Sequence, residues 1–468
     1  MQHVSHVIVH RYTVAGKKSI RILLKLANDF DMELKQVDFT TAFLNANLDE
    51  EIFIRIPNEL ADEYMLDPKK YCYKLNKSLY GFKQSPLNWY SLLNETLLKL
   101  GYTSTVADEC IYYKYVAGCK VPIIMSVYVD DLVIAYPKSI ESVWLTDKAA
   151  IAAAYKITDM GDCNFILKMK VTRDRKAGIT YLSQYGYMKN FLSEYDAMKG
   201  GAVPNACMQL DLSDPHLAAD RLSPSQQNYY QRIIGSVMYL SVCTRPDIGY
   251  AVGYLARYCA APTVKHMRAA RHLLQYVNST INYALVFKRS PSFDASGTAS
   301  ASANANVTIT AYSDSDYGGD HTTRCSTLGN IITINGDAVN WQSQRQKSIS
   351  QSSTEAEYIA QNNTARECIW LKRLLMEILN VNTIPITILS DNQAAITWCV
   401  GEKVDHHKTK HIDIRYKYVR NKCQEGIINM KWIGTAEMKA DILTKVMDKN
   451  QFIKLRDQLV HPITITEE

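Results

Sequence analysis

The chain has 468 residues, and its hydrophobic content of 47% and charged content of 21% are those of an ordinary globular protein with about two to four domains. Its apolar runs reach only about ten residues, too short to cross a bilayer, and its 11 cysteines are spaced singly. These features exclude a membrane protein, a disulfide framework and a zinc ribbon. The net charge of +6 mildly favours a polyanionic partner. We expect an intracellular protein, cytoplasmic or nuclear, that is not secreted.

The N-terminal half alternates between helical and strand patterns. Apolar periodicity predicts helices over residues 20–30, 91–100 and 140–155, and strands over residues 32–38 and 179–182. Two apolar runs on either side of Tyr128-Val129-Asp130-Asp131 predict a buried β-hairpin over residues 121–136. Burying two adjacent carboxylates is costly unless a partner compensates their charge, and a divalent cation is a common partner. Asp38 ends the strand at 32–38, where it could equally be a turn or cap residue.

In the C-terminal half, the composition and the predicted secondary structure change around residues 290–306. Helical segments fill residues 226–278, with a break around Arg245-Pro246-Asp247. Residues 290–306 are rich in Ser, Ala and Asn and predict a flexible linker. Beyond the linker we predict three strands, a helix, a strand and a helix, at residues 307–313, 328–334, 338–342, 353–379, 384–389 and 393–399. This order indicates a compact α/β domain.

Four acids mark this α/β domain. Asp314 follows its first strand, Glu355 opens the long helix, Asp391 follows the fourth strand, and Asp441 lies in a late segment. Each acid also has a structural explanation. Glu355 completes a capping box that begins at Ser352, and Asp391 could cap the helix that follows it.

Several strings occur together along the chain. In the N-terminal half they are the strand carrying Asp38, the Tyr-Val-Asp-Asp hairpin, Leu75–Pro86 and Thr244–Ile248. In the C-terminal half they are Tyr312–Asp316, Ser352–Tyr358, Ser390–Gln393, His407–Asp413 and Lys439–Lys445. With these strings the chain resembles, from about Ser19 to Leu459, the reverse transcriptase and ribonuclease H portion of copia-type (Pseudoviridae-like) long-terminal-repeat retrotransposon polyproteins.

The resemblance implies a multidomain α+β and α/β fold. A right-hand polymerase palm with thumb and connection would precede a ribonuclease H-like α/β domain. The implied divisions are partial fingers and palm at 1–175, thumb and connection at 176–289, the linker at 290–306, the ribonuclease H-like domain at 307–449 and a C-terminal tail at 450–468.

For the polymerase site, the resemblance implies that Asp38 and Asp130 are the principal metal ligands and that Asp131 supports them. The residues expected to contact nucleotide or template are Phe43, Tyr80, Lys83, Gln84 and Tyr128. Phe43 would exclude a 2′-hydroxyl, although a core aromatic is its simpler interpretation. Aromatic and basic residues between 71 and 90 suit a template strand, or alternatively a half-buried hairpin with solvated lysines.

For the ribonuclease site, the resemblance implies that Asp314, Glu355, Asp391 and Asp441 are catalytic metal ligands. We expect Glu357 and Asp316 to point elsewhere. The implied cofactor is Mg²⁺, two ions per active site, with Mn²⁺ as a possible substitute. The implied partners are an RNA template, a DNA primer, an RNA–DNA hybrid and deoxynucleoside triphosphates, with no membrane. The oligomeric state stays open, and the compartment would be the nucleus or a cytoplasmic virus-like particle.

Two departures from the family pattern bear on activity. Residues 1–18 do not match the basic fingers segment, so we expect an N-terminal truncation, and Lys168 stands where glycine is usual beside the primer. Two hypotheses follow. The first is an RNA-directed DNA polymerase with an attached ribonuclease H, a nucleotidyltransferase and endonuclease. The alternative is an element remnant that binds nucleic acid with impaired or no polymerase activity. Because the second domain looks complete, we expect hybrid cleavage to survive better than DNA synthesis.

Overall fold

The computed structural model describes residues 14–195, 201, 203–206, 220–290, 307–320, 322–401 and 413–464, without the side chains of 413–416. The chain forms two compact units, Met1–Leu23 with Met32–Cys163 and Leu24–Asp31 with Asn164–Glu468. The predicted linker at 290–306 lies outside the described residues except for Ser290. In the part of the chain that the structure describes, no helix is long and apolar enough to span a membrane.

The first unit is organised around one antiparallel sheet. The elements in chain order are helix α1 (Lys17–Asp29), strand β1 (Glu33–Phe39), helix α2 (Ala42–Asn45), strand β2 (Asn47–Arg55), helix α3 (Asn58–Glu63), strand β3 (Cys72–Lys77), helix α4 (Ser85–Lys99), strands β4 (Thr103–Ser104), β5 (Ile111–Lys114), β6 (Ile123–Tyr128) and β7 (Asp131–Tyr136), helix α5 (Glu141–Ala154) and strand β8 (Ile157–Asp162). Among the described residues, six strands pair in the order β4-β5-β6-β7-β1-β8, and β2 pairs with β3 in a separate hairpin. From Leu24 onward, α1 belongs to the second unit.

The core of the first unit explains why the hairpin forms. Strands β6 and β7 are buried along almost their whole length, as continuous apolar runs require. Helix α4 inserts Trp89, whose ring lies edge-on to Phe39 of β1 with centroids 5.1 Å apart, and Tyr155 packs against both rings. The predicted hairpin is confirmed. Helix α4 begins at Ser85 instead of residue 91, because proline is well accommodated in a first helical turn.

The second unit contains the remaining elements. They are strands β9 (Phe165–Ile166), β10 (Met169–Asp174) and β11 (Ile179–Ser183), helices α6 (Tyr185–Ser193), α7 (Pro224–Cys243), α8 (Gly249–Ala256) and α9 (Val264–Ser279), strands β12 (Tyr283–Lys288), β13 (Ile309–Ser315), β14 (Thr327–Ile334) and β15 (Asp337–Arg345), helix α10 (Ser353–Leu379), strand β16 (Ile386–Ser390), helices α11 (Gln393–Val400) and α12 (Asp413–Gln424), strand β17 (Ile428–Trp432), helix α13 (Lys449–Arg456) and strand β18 (Val460–Pro462).

Two sheets organise these elements. Within the described ranges, one sheet has the order β15-β14-β13-β16-β17, in which β13 pairs in parallel with β16 and β16 in parallel with β17. Its first three strands are antiparallel neighbours, and α10 connects the third strand to the fourth. This is the predicted ribonuclease H-like arrangement, and the multidomain α/β fold class is confirmed. The other sheet has the order β18-β12-β11-β10-β9.

Some elements differ from the sequence prediction. The α/β domain also contains α12 and β17, which we did not predict. Helix α12 is strongly polar and has only a narrow apolar stripe, whereas β17 alternates apolar and polar residues. Residues 450–468, predicted as a tail, contain most of α13 and all of β18, and β18 pairs with β12.

The break predicted near Arg245 is a buried polar network. A short 3₁₀ helix, Pro246–Ile248, separates α7 from α8. Arg245 donates two hydrogen bonds to the Asp247 carboxylate, Nε to Oδ1 at 2.9 Å and Nη2 to Oδ2 at 2.7 Å. The Tyr276 hydroxyl also donates to Asp247 Oδ2 at 2.7 Å, and Arg245 donates to both oxygens of Thr280. The network joins α9 to this break.

The turn between β9 and β10 has an unfavourable sequence. Its two residues, Leu167 and Lys168, have φ angles of 47° and 58°, the left-handed conformation of a type I′ turn. Glycine is favoured in such turns because a Cβ atom there crowds the backbone, and asparagine is tolerated because its short polar side chain can hydrogen-bond locally. We expect Lys168→Gly to raise the free energy of unfolding by about 0.5–1 kcal/mol, measured as a higher thermal midpoint. The control is Lys170→Gly within β10, where glycine should lower the midpoint. A lower midpoint for Lys168→Gly would contradict the argument.

Candidate active sites

The hairpin turn of the first unit presents Asp130. Strand β6 ends at Tyr128 and β7 begins at Asp131, so Val129 and Asp130 form the turn. Val129 has a φ of 53°, which is unfavourable for a β-branched residue. The Trp89 indole holds this turn by donating from Nε1 to the Val129 carbonyl at 2.8 Å.

The structure brings Asp38, Asp130 and Asp131 together. Asp38 is directly opposite Asp131 in the β1–β7 register, and the Phe39 amide donates to the Asp130 carbonyl at 2.8 Å. Burial raises the pKa of the Asp38 carboxyl, and the charge of Asp131 raises it further. Burial also raises the pKa of Asp130, as do Asp38 and Asp131. The three acids therefore share one repulsive environment, which a cation would relieve.

Two neighbours orient these carboxylates. The Tyr80 hydroxyl donates to Asp130 Oδ2 at 3.0 Å, and Gln36 Nε2 donates to Asp131 Oδ1 at 2.9 Å. Burial and the charge of Asp130 raise the pKa of Tyr80, so its hydroxyl stays a donor at neutral pH. Asp130 Oδ1 is buried and has no hydrogen-bond partner among the described residues. An orphaned carboxylate oxygen beside two other acids fits a metal ligand.

The predicted nucleotide-binding residues occupy different environments. Phe43 is buried, as a core aromatic would be, and its ring packs against the exposed Tyr80 ring with centroids 4.6 Å apart. Lys83 is exposed, Gln84 is the residue before α4, and Tyr128 is half-buried at the end of β6. Their contacts with nucleotide or template remain predictions.

In the second unit, Asp314, Glu357 and Asp391 form an acidic cluster. One carboxylate oxygen from each lies within 4.8 Å of the other two. Asp314 lies in β13, Glu357 in the first turns of α10, and Asp391 directly after β16. Asp314 and Glu357 are buried, and Asp391 is partly exposed. Adjacent parallel strands thus supply two of the acids, and the helix packed on β13 supplies the third.

The structure corrects our assignment of Glu355. Its Oε2 accepts a hydrogen bond from the Gln351 amide at 2.8 Å, while Ser352 Oγ accepts from the Glu355 amide at 3.1 Å. This is the capping alternative that the sequence had left open. Residues two apart on a helix point about 200° apart, so Glu357 faces the cluster when Glu355 faces the helix end. Asp316, in contrast, points elsewhere as expected, since its Oδ1 accepts from the Thr327 amide.

Asp441 is the fourth acid and lies beside Asp314. It is buried in the 3₁₀ helix Lys439–Leu443, and burial together with the charge of Asp314 raises the pKa of its carboxyl. Lys445 Nζ lies 2.9 Å from Asp441 Oδ1 and 3.9 Å from Asp314 Oδ2. Three of the four predicted acids, Asp314, Asp391 and Asp441, are therefore at this site, with Glu357 in place of Glu355.

Sequence reasoning missed the groups that hold these carboxylates. The Thr444 hydroxyl donates to Asp314 Oδ2, and the Thr435 hydroxyl donates to Asp391 Oδ2 at 2.9 Å. The Ser315 amide donates to Glu357 Oε1 at 3.3 Å. Glu357 Oε2 is buried and lacks a hydrogen-bond partner within the described chain. Burial, together with Asp314 and Asp391, raises the pKa of Glu357 well above its ordinary value.

Comparison with known proteins identifies the family. Residues 8–205 match the family model described as reverse transcriptase (RNA-dependent DNA polymerase). The chain is 33% identical over 443 residues to the retrovirus-related Pol polyprotein from transposon TNT 1-94 of Nicotiana tabacum, covering 94% of this chain and 32% of that protein. It is 30% identical over 336 residues to the putative transposon Ty5-1 protein YCL074W of Saccharomyces cerevisiae, covering 71% of this chain and all of that protein.

The chain spans about a third of the length of the Pol polyproteins that it matches. A solved foamy viral protease-reverse transcriptase in complex with dsDNA is also similar, with a TM-score of 0.47 and 12% identity over 88% of this chain and 70% of that one. The family assignment rests on the sequence relatives. The Ty5-1 protein, which this chain matches along its whole length, is a putative transposon protein. The chain belongs to the family of copia-type retrotransposon Pol polyproteins.

Proposed function

We propose that the α/β domain of the second unit hydrolyses the RNA strand of an RNA–DNA hybrid with two divalent cations, Mg²⁺ in the cell. The observation that carries this proposal is the cluster of Asp314, Glu357 and Asp391. Mg²⁺ prefers carboxylate oxygens as ligands. Glu357 Oε2 has no hydrogen-bond partner among the described residues, so it is available to coordinate a cation. When bound, such cations activate a water nucleophile and stabilise the charge that develops on the phosphate.

The chain's own residues supply orientation. Asp314 is fixed by Thr444, Asp391 by Thr435, and Glu357 by the Ser315 amide, so the three carboxylates keep their relative positions without a cation. This is preorganisation, which lowers the reorganisation needed when the hybrid phosphate arrives. Recognition of the hybrid would follow duplex shape and backbone more than base sequence.

We further propose that the first unit is an RNA-directed DNA polymerase. The observation that favours it is the convergence of Asp38, Asp130 and Asp131 at one hairpin, with Asp130 Oδ1 left unpaired by the described residues. Asp38 and Asp130 would hold two cations, while Gln36 orients Asp131 as the supporting acid. An RNA template, a DNA primer and deoxynucleoside triphosphates are the substrates that this family membership favours.

Primer extension tests the polymerase proposal. The full chain should extend oligo(dT) on poly(rA) with Mg²⁺, and Asp130→Asn should lower the rate at least about 10²-fold because one metal ligand loses its charge. The matched control is Asp162→Asn in β8, which removes only an exposed ion pair with Lys35 and should leave the rate within about twofold.

Cleavage of a labelled RNA–DNA hybrid by the same preparations tests the ribonuclease proposal. Asp130→Asn should not change hybrid cleavage. A protein that binds the hybrid yet neither extends nor cleaves would contradict both proposals and favour the alternative of a nucleic-acid-binding remnant.

A further inference from the structure

Lys445 is a charged residue at the acidic cluster that the proposed chemistry leaves without a role. Its ammonium lies 2.9 Å from Asp441 Oδ1 and 3.9 Å from Asp314 Oδ2. The side chain is 41% exposed, so it reaches the cluster from the solvent side. Lys445 therefore contacts the two acids that lie on one side of the cluster.

Local structure fixes this lysine beside the two acids. Its amide donates to the Asp441 carbonyl at 3.3 Å, at the end of the 3₁₀ helix Lys439–Leu443. The preceding residue, Thr444, is fully buried and donates its hydroxyl to Asp314. The backbone is thus anchored on both acids, and only the flexible stem of Lys445 is free to move its ammonium.

The Lys445 ammonium can compensate part of the negative charge of the neighbouring carboxylates. If ionised, the clustered carboxylates of Asp314, Glu357 and Asp391, together with Asp441 beside Asp314, would repel one another strongly in a partly buried site. A lysine ammonium carries a positive charge at neutral pH, and that of Lys445 lies 2.9 Å and 3.9 Å from oxygens of Asp441 and Asp314. It compensates part of the repulsion in the protein without metal.

If Asp314 and Asp441 act as metal ligands, they would offer a cation the carboxylates that Lys445 already faces. The ammonium and a divalent cation near those oxygens would repel each other, so each weakens the binding of the other. Metal binding by Asp314 and Asp441 therefore favours displacement of the Lys445 ammonium. Displacement has a cost in free energy that lowers the affinity of this position for metal.

We propose that Lys445 competes with a divalent cation for the oxygens of Asp314 and Asp441, and so sets the metal concentration at which this side of the site fills. The inference rests on the proposed two-metal function of the cluster. In the opposite role, Lys445 would position Asp441 for metal binding. The two roles predict opposite signs when the lysine charge is removed.

The test measures Mn²⁺ binding to the full chain through the loss of the free-ion signal in electron paramagnetic resonance. All proteins carry Asp130→Asn to weaken binding in the first unit. Lys445→Met should tighten the weaker Mn²⁺ binding event roughly tenfold, a typical size for coupling between charges in one site. Lys445→Arg keeps the charge and should match the parent. Lys449→Met removes an exposed lysine nearby and should also match it.

Thermal melting provides a second readout. In EDTA, Lys445→Met should melt below the parent because the carboxylates lose their counter-ion, and Mn²⁺ should raise its midpoint by more than it raises that of the parent. Lys445→Gln is a second variant in case the methionine protein does not fold.

Weaker or unchanged Mn²⁺ binding in both uncharged variants would overturn the competition. If the parent protein bound no Mn²⁺, or if Asp314→Asn left its Mn²⁺ binding unchanged, the two-metal function itself would be overturned. The first failure leaves hybrid cleavage by the wild type intact, whereas the second predicts its absence, so the two are distinguishable.

Discussion

Glu357→Gln is expected to lower hybrid cleavage by at least about 10³-fold, with DNA synthesis unchanged. The glutamine side chain keeps the size of glutamate but replaces a charged metal ligand by a neutral amide. The loss should appear in the rate under saturating hybrid, because the cluster acts on the reacting phosphate and contributes little to duplex affinity. Single-turnover cleavage of a labelled hybrid measures this rate directly.

Glu355→Gln is the matched control for that experiment. It makes the same chemical change two residues away, and the glutamine oxygen can still accept from the Gln351 amide. We expect cleavage within about threefold of wild type and at most about 1 kcal/mol of lost stability, the size of a helix-cap effect. If Glu355→Gln abolished cleavage and Glu357→Gln did not, the site geometry described above would be wrong.

Asp247→Ala is expected to destabilise the second unit by about 3–5 kcal/mol. The change leaves the Arg245 guanidinium buried without its carboxylate partner, and an uncompensated buried charge is costly. It also removes the hydrogen bond from Tyr276. Urea unfolding followed by tryptophan fluorescence should report the change, because Trp341 is buried in the same unit and donates to the Ser241 carbonyl.

A surface variant, Asp457→Ala, serves as the control for Asp247→Ala, and a pH series tests the charge of Asp247. Asp457→Ala removes a half-exposed partner of Arg456 and should cost less than about 1 kcal/mol. Burial alone would raise the pKa of Asp247, but Arg245 holds it below the ordinary value of 3.8. The carboxylate's contribution is therefore complete above that value and is lost only as the pH falls toward the folded-state pKa. Equal destabilisation by Asp457→Ala and Asp247→Ala would contradict this account.

Much of the fold was predictable because its elements carry strong local patterns. Helix α10 has the predicted bounds, Ser353–Leu379, since a capping serine precedes a long amphipathic stretch. The hairpin at Asp130 follows from two uninterrupted apolar runs. Helix α12 was missed because its sequence is mostly polar and its apolar face is weak.

The error at Glu355 has a specific cause. The sequence offered two acids at the start of one helix, and the capping pattern already accounted for Glu355. Glu357 was the acid without a local explanation, and that absence was the signal for a tertiary role. The threonines at 435 and 444 carried no comparable signal, because hydroxyl residues near chain turns have many local uses.

Sequence patterns alone were enough for most of the elements, for all but one of the acids and for the resemblance to the family. Periodicity and motif strings are local properties, and they are readable without knowing what lies across a sheet. The acids that share a site, and the lysine and hydroxyl groups beside them, became known from the three-dimensional arrangement. These arrangements depend on strand register and on the directions in which side chains leave a helix. On α10, Glu357 faces the other acids, whereas Glu355, two residues earlier, accepts a hydrogen bond at the start of the helix.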